Sequence, residues 1–218
     1  MSALSETQVA KRERTLITAL LLSMWAPLTT GIAVILSHST TQLADFIRRT
    51  VELIALFISW RVFRHVEKGR NVTAEEKAHW EKIAGLSVAV ALGFSGLTML
   101  TVTLARIDTF EPGGNVYPGL AIAILGLVTN SWFWRRYTKM TAEQYNPVID
   151  AQRLMYRAKA CVDLCVIIAL SSVAIDPAAS ATLYIDALGS VAVSFYLVWS
   201  GINTYKSTLQ NKHNSGSA

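Results

Sequence analysis

Two pairs of opposite charge interrupt otherwise apolar stretches of this chain. Arg48 and Glu52 stand four residues apart, and so do Lys159 and Asp163. At that spacing in a helix the two side chains share a face. Each helix would therefore present one cation a turn before one anion. Asp45, three residues before Arg48, falls close to the same face. Arg49 lies about 100° around the helix, where a long basic side chain snorkels toward the water interface. Such groups can neutralise one another, carry protons on their carboxylates, or hold a small charged solute. A charge in a membrane-spanning helix costs about 2.5–3.5 kcal/mol on insertion scales, and it persists where it is paired or lines a watery space. Matched spacing on two helices points to one shared site, with Arg48, Glu52, Lys159 and Asp163 as its substrate-binding groups. The plainer alternative is two intrahelical salt bridges that ease the insertion of polar helices.

Other reactive side chains give weaker signals. Cys161 and Cys165 also stand four apart in an apolar run, which reads as two buried thiols on one helix face. Two cysteines exclude a disulfide scaffold and any zinc-finger spacing. The histidines, His38, His65, His79 and His213, show no ligand spacing. No Ser-His-Asp set, phosphate loop or carboxylate pair in a cleft is visible, so neither an enzyme nor a cofactor is expected, and no metal ligand is assigned.

The elements that must position the charged groups follow from composition. The 218 residues are 52% apolar and only 16% charged, with a mean hydropathy of +0.36. A soluble domain carries about a quarter charged residues. Ordinary soluble enzymes and disordered chains are thereby excluded, and a polytopic, all-α membrane protein is left. A spanning helix needs about 20 mostly apolar residues. Six stretches qualify: Thr15–Ser37, Thr41–Phe63, Ile83–Ala105, Tyr117–Phe133, Met155–Ile175 and Thr182–Tyr205. The second is the weakest by hydropathy, because it holds Asp45, Arg48, Arg49 and Glu52. The sixth carries Asp186 near its start. Lys and Arg crowd the N-terminal segment, the second and fourth connections and the C-terminal segment, while Arg106 stands alone on the alternate side. That asymmetry places both termini in the cytoplasm and accounts for the net charge of +5 without nucleic acid. The first apolar run is too long for a secretory signal and reads as the first span. Thr73-Ala-Glu-Glu reads as a helix start leading into the third span. The polar segment from Asn211 is expected to be disordered.

The second-span run Ser39-Thr-Thr-Gln-Leu-Ala-Asp45-Phe-Ile-Arg48-Arg-Thr-Val-Glu52, with Lys159-Ala-Cys-Val-Asp163, Tyr184-Ile-Asp186-Ala-Leu-Gly-Ser190 and Trp199-Ser200-Gly201, resembles the membrane domain of the cation diffusion facilitator family. Asn130 ahead of Arg135-Arg136 resembles that family's fourth span. The likeness covers roughly residues 12 to 210. It implies a six-helix bundle, a homodimer, and an antiporter exchanging a divalent metal, often zinc, for protons. Asp45, Asn130 and Asp186, which the resemblance marks, and Arg49, beside Arg48 in the second span, are secondary site candidates. The departure from the family is chemical. Arg48 and Lys159 stand where the first ligand of each pair would be, and only Glu52 and Asp163 keep ligand character. Zinc takes four N, O or S donors, and an arginine has no lone pair to give. The expected zinc site is therefore replaced by an Arg/Glu/Lys/Asp cluster.

The resulting expectation is a secondary transporter of the cation diffusion facilitator type, coupled to protons and acting on a small ion or small charged solute. The alternative is a non-transporting scaffold or partner subunit locked by the cluster. The expected organisation is a cytoplasmic segment 1–14, a six-helix transmembrane domain 15–205 and a cytoplasmic segment 206–218, with no cytoplasmic metal-sensing domain. A bacterial inner membrane is the expected location.

Overall fold

A computed structural model describes residues 5–37, 40–69, 72–106, 117–175 and 180–215. Six helices make up the fold: α1 (Glu6–Ser37), α2 (Thr40–Lys68), α3 (Ala74–Arg106), α4 (Tyr117–Glu143), α5 (Pro147–Ile175) and α6 (Ser180–Ser215). No strand occurs among the described residues. Each helix contains one expected span, and most run well beyond it. By length and apolarity alone α1 and α3 qualify as membrane-crossing among the described residues; the charged residues of α2 keep it from doing so. Pro27 stays inside α1, as membrane helices allow. Large apolar side chains such as Trp25, Ile35, Leu125 and Phe195 face outward, where lipid is the solvent.

The helices extend on the side where α1, α3 and α5 begin, called here the basic end. The segment expected as an N-terminal tail is helical from Glu6. Its start is a capping box: Ser5 Oγ accepts from the Gln8 amide at 3.3 Å, and Gln8 Oε1 accepts from the Ser5 amide at 3.2 Å. The expected disorder from Asn211 is also corrected as far as Ser215, where α6 ends; the remainder of that segment lies outside the described residues. Thr73 caps α3 as anticipated, its Oγ1 accepting from the Glu76 amide at 3.2 Å. Asn146 caps α5, its Oδ1 accepting from the Val148 and Ile149 amides at 3.1 and 3.2 Å. Pro147 fills the first helical position, where no amide is needed.

The core sits toward the basic end. Leu16, Leu56, Phe63, Phe133, Tyr137, Ile149, Met155 and Tyr156 are all fully buried there. Arg12 is buried with them. Its Nη2 donates to Met140 O at 2.9 Å, which also accepts from the Gln144 amide, and to Gln144 O at 2.7 Å, just past the end of α4, where helix carbonyls lack intrahelical partners. Arg136 answers from α4, its Nε donating to Thr15 Oγ1 at 2.8 Å. α6 packs along α3 at very short range. A Cβ on Gly201 would lie 2.9 Å from both the Ala89 carbonyl oxygen and the Gly93 amide nitrogen, so only glycine fits.

Three carboxylates gather at the basic end among lysines. Glu13 pairs with Lys68 and, at 3.9 Å, with Arg64. Glu67 pairs with Lys77 at 3.6 Å. Glu81 has Lys77 at 4.0 Å, and its Oε1 is buried without a hydrogen bond. Burial raises the Glu81 carboxyl above the usual carboxylate range; Lys77 offsets part of this, and Glu67 adds to it. A raised folded value means that the folded state binds this proton more tightly than the unfolded chain does. The contribution is complete below the ordinary carboxylate pKa of about 4.3 and is lost as pH climbs through the raised value. Glu81→Gln is therefore expected to melt higher than the parent at neutral pH and no higher near pH 4. Melting curves across that window check it, and parallel curves for the two proteins would refute it.

Candidate functional site

Helices α2 and α5 run antiparallel in contact, and Glu52 is the hub of what they bring together. Lys159 Nζ lies 3.1 Å from Glu52 Oε2. Arg48 Nη1, a turn earlier on α2, lies 3.6 Å from Oε1. Ser95 of α3 donates its hydroxyl to the same Oε1 at 3.0 Å. Both oxygens of the carboxylate are thus engaged, by groups from three helices. The Glu52, Arg48 and Lys159 side chains are only 12%, 16% and 17% exposed, so their mutual attraction is poorly screened. Lys159 Nζ also sits 5.3 Å from the ring centre of Tyr156, a cation–π distance. The Tyr156 hydroxyl is 3.2 Å from Ser23 Oγ of α1.

Asp163 is placed differently from expectation. Lys159 pairs between helices with Glu52, where the plainer alternative paired it with Asp163 on its own helix, but Asp163 does not join that carboxylate. The reason is reach: the lysine stem spans the α2/α5 interface, and α4 supplies Asp163 with another partner. Asn130 Nδ2 donates to Asp163 Oδ2 at 2.6 Å. Gly126, one turn before Asn130 on α4, leaves room for that carboxylate, because a Cβ there would lie 3.0 Å from Oδ2. The structure thus joins Arg48, Glu52 and Lys159 in one cluster and seats Asp163 with Asn130 one turn beyond Lys159. Arg49 is half-buried on α2 and engaged in interactions of its own. Asp45 and Asp186 lie in helical stretches whose side chains fall outside the described residues.

Sequence reasoning missed Ser95, Tyr156 and Gly126. Ser95 is one of many small residues in α3, and nothing in its spacing marks it. Gly126 did carry a signal, since it precedes Asn130 by four residues and so shares its face.

Chemically, the cluster is a carboxylate already neutralised by fixed cations. Among the described residues no three His, Cys, Asp or Glu side chains are arranged to hold a metal ion. Cys161 and Cys165 are free thiols, both partly buried. Cys165 borders a cavity of about 60 Å³ with Met99, Val166, Ala169, Leu170 and Ser190.

A family model described as the cation efflux transmembrane domain matches residues 16–211. No curated protein matches the chain.

Proposed function

We propose, from the premise that this chain belongs to the cation efflux family, that it is a proton-coupled secondary transporter whose zinc site has become a charge cluster centred on Glu52. The family consists of membrane transporters of cations, and the chain is an integral membrane protein. The observation that carries the finer reading is the pair of cations on one carboxylate, Lys159 Nζ at 3.1 Å and Arg48 Nη1 at 3.6 Å. Two unit charges at such a distance are worth about 5 kcal/mol at an effective dielectric of 20. A dication entering here would lose that attraction and meet two fixed positive charges. A small ion or small charged solute fits better. A cationic group would compete with Lys159 for Glu52, and an anionic group would take the ammonium so released. Protonation of Glu52 frees the same partners, and Asp163 is the second carboxylate on which a proton can ride, so that the two supply the proton coupling, as intramembrane carboxylates do in pumps and transporters. Residues 15–205 form the transmembrane unit, working as a homodimer. The basic end and both flanks, 1–14 and 206–218, face the cytoplasm of a bacterial inner membrane.

A second reading has its own support. Both Glu52 oxygens are partnered, and the Asn130–Asp163 contact is short at 2.6 Å. A polar set so fully satisfied would lock the helices in one packing, as expected of a non-transporting scaffold or partner subunit.

The two readings separate in proteoliposomes under a pH gradient, with protons and a panel of monovalent ions, divalent ions and small zwitterions followed by dyes. Transport predicts flux of protons and one solute class, slowed about tenfold by Glu52→Gln, the equivalent of about 1.4 kcal/mol in the barrier. Folded protein that stays silent across the panel overturns the transporter reading and leaves the lock.

A further inference from the structure

The α2/α5 interface carries more polar chemistry than the charge cluster. Glu52 lies opposite Lys159 at 3.1 Å, Ser59 opposite Gln152 at 2.8 Å, and Glu67 opposite Asn146 at 3.2 Å. In antiparallel helices, partners seven or eight residues further along one helix meet partners six or seven residues earlier along the other. These three pairs are therefore successive rungs of one ladder, spaced roughly 10 Å apart at 1.5 Å per residue. It runs from the charge cluster to the basic end.

The middle rung is the anomalous one. Gln152 and Ser59 are both completely buried. Gln152 Nε2 donates to Ser59 Oγ, and Ser59 Oγ donates to Ala55 O at 2.9 Å. The Gln152 carbonyl oxygen, Oε1, is buried and meets no hydrogen-bond partner in the structure. Leu56, Phe63, Ile149 and Met155 around the rung are at most 1% exposed, so in this conformation it is shut off from the basic end. An orphaned buried acceptor is destabilising, and an apolar side chain of similar volume would avoid the loss. A group at such a disadvantage, on the line between the cluster and the basic end, is suited to a role when the helices part.

We propose that the Ser59–Gln152 rung is an inner way-station between the charge cluster and the basic end. It is closed here by its own hydrogen bond. When α2 and α5 separate, it offers the Gln152 carbonyl oxygen and the Ser59 hydroxyl to a hydrogen-bond-donating species, either a hydrated cation or proton-carrying water. The inference rests on the transporter reading for its direction of use, but its access can be measured without any flux.

The access test uses the full chain with Cys161 and Cys165 changed to Ser, reconstituted in vesicles and exposed to a membrane-impermeant maleimide. Gln152→Cys is expected to react from the side of the basic end about tenfold faster than Leu16→Cys, a ratio equivalent to about 1.4 kcal/mol. Leu16 is equally buried but lies on α1, so it reports general loosening. Ser59→Cys reports the same rung if Gln152→Cys fails to fold. Equal rates at Gln152 and Leu16, or equal reaction from both sides, overturn the proposal. In the flux assay Gln152→Met is expected to melt no lower than the parent yet to carry flux about tenfold more slowly. Parental flux in that variant also overturns it. A parent that moves nothing while Gln152→Cys still labels from one side removes the transporter reading and leaves the rung as a water-accessible site.

Discussion

Glu52→Leu should be the most damaging single substitution in the bundle. It strips both Lys159 and Arg48 of the carboxylate that they share, and leaves the Lys159 ammonium among apolar helices without its ion-pair partner. Breaking a buried pair by removing one partner costs about 3–5 kcal/mol, because the survivor stays charged and desolvated. The loss is expected to be recovered by adding Lys159→Met and Arg48→Met, since replacing a whole buried ion cluster with apolar residues is often neutral or stabilising by about 1–4 kcal/mol. Ser95 loses its acceptor in every one of these variants, which keeps the recovery from being complete. Thermal unfolding in detergent reads all of them. A single variant that melts with the parent would mean that the cluster is well hydrated and that its low exposure misleads.

The second large effect is a gain. Arg48→His together with Lys159→His should create a divalent-metal site, because both side chains already touch the one carboxylate that can complete it. Zinc is bound by imidazole nitrogens and carboxylate oxygens in a tetrahedral set. The double variant would supply two nitrogens and Glu52, with Asp163 or water as the fourth donor. Zinc at about a hundred times its dissociation constant would then stabilise the folded state by about 2.7 kcal/mol. The parent should show no zinc-dependent shift, and each single substitution should show less than the pair. Calorimetry that finds no zinc binding to a folded double variant would break the correspondence between these positions and the metal ligands of the family.

Much of the architecture could be read from hydropathy and charge. The apolar runs located six helices, and the placement of Arg48, Glu52, Lys159 and Asp163 at four-residue spacing identified the faces that matter. The matched spacing pointed to one shared site, but spacing along a helix cannot say which of the four groups turns to another helix, and Asp163 turns to Asn130 of α4. The extra turns at the basic end escaped for a related reason. Arg12 and Glu13 look like a solvated tail, and only the carbonyls at the end of α4 and the lysine at the end of α2 make them interior residues. Asn130 was reached through resemblance, and its contact with Asp163 gives it a physical role. Gln152 drew no notice at all, because one amide in a mostly apolar helix has no periodic signature; only an empty acceptor inside a packed wall makes it visible.

The packing of α6 on α3 has a mechanical consequence. At Gly201 the neighbouring groups are main-chain atoms of Ala89 and Gly93, which cannot rotate aside as side chains do. The two helices therefore behave as one stiff strut, against which only whole-body tilting is available. Deformation must be taken up elsewhere, and the compliant seams are those joined by single long side chains, where Lys159 and Gln152 bridge across to the second helix.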